Sequence, residues 1–109
     1  MTKAGFEKLG GKFVKLTVSG HSGFAEAGSD IVCAAVSASV DLAAGILDET
    51  GTAYTFSSSA KKTLVTFELL DPSDASGQAV FAALHKQLTE LSGQFPENVK
   101  VTEADRFRL

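Results

Sequence analysis

The stretch from about Asp30 to Glu49 limits the possible folds more than any other part of the chain. Ile31, Val32, Val36, Val40, Leu42, Ile46 and Leu47 are spread among alanines at helical spacing, so the predicted helix is apolar nearly all round. Such a helix has to be buried on more than one side. The 109 residues form a single domain, 1–109, large enough for one core and not for two. A sheet can cover one face of this helix. A second helix or a partner subunit must cover another.

The segments on either side read as strands. Val14, Leu16 and Val18 alternate with Lys15 and Thr17, the period of a half-buried strand. Gly10-Gly11 just before them predicts a hairpin with a weaker first strand near residues 2–8. Residues 52–57 and 63–70 are rich in Thr, Tyr, Phe and Val and make a second hairpin. Ser57-Ser58-Ser59 reads as its turn. A short strand around Val99 and Val101 closes the chain.

A second helix is expected from Asp71-Pro72, with Asp71 as cap and Pro72 at the first helical position. Val80, Phe81, Leu84, Leu88 and Leu91 form its apolar stripe, and Ser92-Gly93 and Pro96 end it. The order is β-β-α-β-β-α-β. This predicts an α+β fold, an antiparallel sheet of about five strands with both helices on one face.

Composition narrows the functional classes. A net charge of −3 and the lack of a basic stripe argue against direct nucleic-acid binding. No stretch reads as a membrane span, and no apolar signal segment follows Met1. One cysteine cannot form an internal disulfide, which suits a reducing cytoplasm. One Cys and two His are too few for the usual zinc patterns, so neither metal nor cofactor is expected.

The residues with chemical potential lie between Gly20 and Ser37. With Ser29 or Asp30 as N-cap, Cys33 falls in the first helical turn. There, amides without intrahelical partners and the positive end of the helix dipole favour a thiolate. The same amides can act as an oxyanion hole. His21 sits in the glycine-containing loop just before, where an imidazole can take the thiol proton. Asp30 can either cap the helix or orient His21, and both roles are open. Ser37 and Asp41 follow Cys33 at one and two turns, and Ser37 can hydrogen-bond the sulfur or a substrate. Gly20, Gly23 and Gly28 let the loop bend over an extended peptide. Twelve positions separate His21 from Cys33, so contact is permitted and not required. The residues alone leave open that Cys33 is a buried small hydrophobe.

The string Val18-Ser19-Gly20-His21-Ser22-Gly23, then Gly28-Ser29-Asp30-Ile31-Val32-Cys33-Ala34-Ala35-Val36-Ser37, closely resembles the ribosomal-processing cysteine protease family called Prp. Ser22 and Ser39 stand where that family usually has alanine and leucine. The resemblance implies that Cys33 is the nucleophile and His21 its general base, with Asp30 and Ser37 in support. It implies a cytoplasmic homodimer that removes the N-terminal extension of large-subunit ribosomal protein twenty-seven, cutting after an aromatic residue. The alternative is a non-catalytic, ribosome-associated peptide-binding module in which Cys33 is structural. A redox-sensing thiol is weaker still, since no second cysteine can resolve an oxidised one.

Other residues read more plainly. His85, beside Lys86 at the margin of the second helix's stripe, reads as a surface histidine. Phe24 belongs to the candidate substrate loop, where it can anchor the loop over the site or contact an apolar substrate side chain, with packing the plainer reading; Glu26 reads as a solvated loop carboxylate. The loop lacks the Gly-Lys-Ser/Thr ending of a nucleotide-binding loop.

Overall fold

The computed structural model describes residues 1–20, 27–59 and 64–105, with backbone alone at 27–30. The elements run β1 (Thr2–Leu9), β2 (Lys12–Ser19), α1 (Ala27–Thr50), β3 (Tyr54–Ser59), β4 (Leu64–Leu69), α2 (Ala75–Gln94) and β5 (Val99–Asp105). The order is the one read from the sequence. The five strands lie in one sheet in the order β3-β4-β2-β1-β5. The β3–β4, β4–β2 and β2–β1 pairs are antiparallel. β5, however, pairs with β1 in parallel, from Thr2 opposite Val99 to Lys8 opposite Asp105. The sheet is therefore mixed. α2 is the crossover that brings the last strand back in that direction, since parallel neighbours need a long connection.

The two faces of the sheet differ. Thr2, Ala4 and Phe6 on β1, Leu16 on β2 and Phe67 and Leu69 on β4 are buried. Their alternate neighbours Lys3, Gly5, Thr17, Thr66 and Glu68 are exposed or half-buried. Both helices contribute to the same core as the buried strand residues: α1 through Val32, Val36, Val40, Ala43 and Leu47, α2 through Phe81, Leu84, Leu88 and Leu91. Phe81 meets Phe67 edge-on at 5.0 Å between ring centres, and Phe6 packs on Phe13 at 5.7 Å. Such pairs add to the burial of their area.

Local details refine the sequence reading. The β1–β2 register shifts after Glu7, so that Phe13 and Val14, adjacent in sequence, are both buried. The Gln78 side chain, from the first turns of α2, completes the ladder of β2 there. It accepts from the Phe13 amide at 2.8 Å and donates to the Phe13 carbonyl at 2.7 Å. Ser57-Ser58-Ser59 is not a turn but the end of β3, with Ser59 opposite Leu64. α1 ends where Gly51 turns left-handed (φ 69). The Gly51 and Thr52 amides then reach back to the carbonyls of Asp48 and Leu47, which satisfies two of the helix's last acceptors.

α2 begins three residues later than Pro72 suggests. Asp74, not Asp71, is its cap, accepting from the amides of Ser76 and Gly77 at 2.8 and 3.1 Å. Asp71 holds the preceding turn instead, accepting from the Ser73 amide and hydroxyl. Those two bonds, the hydroxyl's first, lower its pKa. Two Asp residues three apart both suit a cap, and only the chain path chooses between them.

The stripe from Val32 to Leu47 gives α1 one wholly buried face. Ile31, Leu42 and Ile46 remain exposed on the rest of it. The second cover that the sequence demands is thus only partly supplied by α2. Residues Ile31–Thr50 do reach the length and hydropathy of a membrane span, contrary to the sequence reading. One continuous stripe of that helix, from Val32 to Leu47, is packed into the core.

Asp74→Ala removes acceptors for two amides and is expected to cost about 1 kcal/mol in urea denaturation, with Asp71→Ala costing less.

Candidate active site

Rotation of α1 decides where its one thiol faces. Val32 and Val36 point fully into the core, so Cys33, about 100° further round than Val32, lies at the edge of the buried stripe and is half-buried. It opens onto a cavity of about 380 Å³ lined by Thr2, Val18, Gly20, Cys33, Val36, Ser37, Ser58, Ser59, Leu64 and Val65. These residues come from the start of β1, the end of β2, the second and third turns of α1, the end of β3 and the start of β4. The lining combines apolar side chains (Val18, Val36, Leu64, Val65) with the hydroxyls of Thr2, Ser37, Ser58 and Ser59. That combination suits a short apolar peptide segment held by a few polar contacts.

Three sequence expectations are modified here. α1 starts at Ala27, so Cys33 is its seventh residue and lies in the second turn, not the first. Its amide therefore lies beyond the four unpaired ones at a helix start. Asp30 is the fourth helical residue, so neither it nor Ser29 is the cap, and Gly28 lies within the helix instead of the loop. An acidic residue suits the first turn as well as the cap, so residue type did not separate the two. His21, Gly23 and Phe24 lie outside the described residues.

Ser37 is where the spacing placed it, one turn beyond Cys33 and exposed on the cavity. Asp41 is exposed and does not line the cavity. The sequence reading missed Thr2, although the alternation of Thr2, Ala4 and Phe6 already placed it on the buried face. Its hydroxyl Oγ1 is 3.8 Å from the Cys33 Sγ, within hydrogen-bonding reach for sulfur.

His85 is not a plain surface residue. It stands edge-on to Phe6 at 4.9 Å between ring centres, and its Nε2 is 3.5 Å from Glu103. Phe6 lies four residues along β1 from Thr2, roughly 13 Å at strand rise, so His85 belongs to the other end of the sheet. Glu103 also accepts from Lys8 at 2.9 Å, and that bond, with the nearby charges of Lys8 and His85, lowers its pKa. Among the described residues, no group of three His, Cys, Asp or Glu side chains could hold a metal ion.

Residues 1–100 match the model of a family described as cysteine protease Prp. The chain belongs to the Prp family. It is a cysteine peptidase by that membership. Among solved structures, SMU.848 from Streptococcus mutans has a TM-score of 0.88 and 26% identity, over 97% of this chain and 96% of that one. The ribosomal processing protease Prp from Staphylococcus aureus shares the fold in two forms. With a substrate peptide the TM-score is 0.88 at 17% identity, and with a covalently linked product peptide it is 0.85 at 18%. Each alignment covers 94% of this chain and 99% of that one. No curated protein matches the chain.

The described part of the Prp loop ends in a close contact. Gly20 has φ +75, and a Cβ built there would lie 2.6 Å from the Met1 carbonyl oxygen. Only glycine lets the end of β2 pass so near the start of β1. Gly20→Ala is expected to lower stability by about 1–3 kcal/mol, read by urea denaturation.

Proposed function

We propose that this Prp family member removes the N-terminal extension of large-subunit ribosomal protein twenty-seven, with Cys33 as nucleophile and His21 as general base. One observation carries the reading. A cysteine peptidase needs a reactive thiol, and the sole cysteine of this chain lines a peptide-sized cavity. The Staphylococcus aureus protease of the same fold, solved with a substrate peptide and with a covalently linked product peptide, supports it.

His21 takes the proton from the Cys33 thiol. The sulfur attacks the scissile carbonyl carbon, and the carbonyl π electrons move onto oxygen. As the tetrahedral adduct collapses, the C–N bond breaks and the leaving amine takes the proton from His21. A water, deprotonated by His21, then attacks the thioester. The C–S bond breaks, the peptide acid departs and Cys33 regains its proton. Ser37, which lines the cavity, would hydrogen-bond the sulfur or the bound peptide. Asp30 would orient the His21 ring.

The wild-type protein is expected to shorten the host's extended ribosomal protein by one defined N-terminal peptide, seen by intact-mass measurement. Cys33→Ala and His21→Ala should leave it at full mass. A Cys33→Ala protein that still cuts would remove Cys33 from the mechanism. A Cys33→Ala protein that binds the extension with wild-type affinity, beside a wild type that never cuts it, would favour the binding module.

We further infer that the protein works as a cytoplasmic homodimer. A groove of about 620 Å³ between α1 and α2 is lined by Leu42, Ile46, Val80 and alanines of both helices. Leu42 is 67% exposed and Ile46 40%, and α1 lacks the second cover its composition calls for. In sedimentation velocity the wild type should run as a dimer and Leu42→Glu/Ile46→Glu as a folded monomer. A monomeric wild type would discard the inference.

A further inference from the structure

We propose that Thr2 is a positioning residue for the nucleophile: its hydroxyl hydrogen-bonds the Cys33 sulfur and holds it at the cavity wall. The proposal rests on the reading of Cys33 given above and adds a residue that neither the sequence motif nor the family match singles out.

Thr2 is only 4% exposed. Its hydroxyl is a polar group taken out of water, and such groups are costly unless paired. Among the described residues the partner found for Oγ1 is the Cys33 Sγ, at 3.8 Å. Thr2 also lines the same cavity as the sulfur. A buried hydroxyl and the lone thiol of the chain therefore meet across 31 positions of sequence.

The hydroxyl is held more firmly than the sulfur. Thr2 is paired opposite Val99 on β5, and its amide donates to the Asn98 carbonyl at 2.8 Å. On the other side, Lys3 pairs with Ser19, and the Met1 carbonyl is packed against Gly20. The β-branched side chain has few rotamers, and strand alternation aims it towards the helices. A thiol turns about one bond and takes its direction from its partner. When the sulfur carries a proton, Thr2 can accept from it. When it is ionised, Thr2 can donate, and a donor to a charged acceptor is the stronger contact. The bond thus aims the sulfur whether or not it carries its proton.

The test uses the full chain with two variants. Thr2→Val keeps the shape and replaces the hydroxyl by a methyl; Thr2→Ser keeps the hydroxyl. Two rates are read at one pH: carbamidomethylation of Cys33 by iodoacetamide, followed by mass, and turnover of the extended ribosomal protein. Thr2→Val is expected to lower both the alkylation rate and kcat about tenfold, the lower end for a hydrogen bond to a charged group. KM and Tm should stay near wild type. Thr2→Ser should remain within about twofold of wild type in both rates, because the donor is retained. Wild-type rates in Thr2→Val would overturn the proposal. So would equal losses in Thr2→Val and Thr2→Ser, which would make the role one of packing. Alkylation is read whether or not the protein cuts, so a wild type that never cleaves its substrate defeats the peptidase reading while the Thr2–Cys33 bond is still decided.

Discussion

The packing of one stripe of α1 against the sheet governs everything else in this molecule. Val32, Val36, Val40, Ala43 and Leu47 are all buried in one core with Leu16, Phe67 and Phe81. Each fully buried aliphatic side chain contributes on the order of 1.5–3 kcal/mol, so the helix cannot rotate without giving up several at once. That fixed rotation puts Cys33 on the border between core and cavity. A turn of one residue either way would bury the sulfur among hydrocarbon or strand it in solvent. The site is a by-product of core packing in this sense: the aliphatic residues choose its orientation, and the polar ones exploit it.

The same stripe shows why so much of the fold was legible in advance. Long runs with clear periods were read correctly: the alternation in β2, the helical spacing of Val80 to Leu91, the hairpin at Gly10-Gly11. What escaped were choices between locally equivalent options. Asp71 and Asp74 are both good caps, and Ser29 and Asp30 suit a cap or a first turn equally. Ser57-Ser58-Ser59 has the composition of a turn, yet its pairing with Thr66, Val65 and Leu64 keeps it in a strand. The parallel pairing of β5 is likewise non-local. Nothing in Val99 to Asp105 states its direction; the crossover through α2 sets it.

Legibility of the site divides along the same line. Ser37 was visible because it shares a helix with Cys33 and obeys its spacing. Thr2, Ser58, Ser59 and Leu64 were not, because they reach the cavity through strand order β3-β4-β2-β1-β5, which a local period cannot reveal. For His21 the residues permitted a base near the thiol without requiring contact, and the resemblance supplied the pairing.

The later placement of Cys33 in α1 changes how its reactivity should be understood. A thiol in the first turn could draw on free amides and on the helix dipole; one at the seventh residue is past the first, and the dipole effect falls off within the first turn. What lies beside the sulfur instead is specific: a buried hydroxyl on β1 and, on the same cavity, a serine one turn along. The described surroundings of the thiol are thus side chains brought from separate elements, not the free backbone of one. Such a cavity exists only when the sheet is assembled, because its lining comes from β1, β2, β3 and β4 as well as α1.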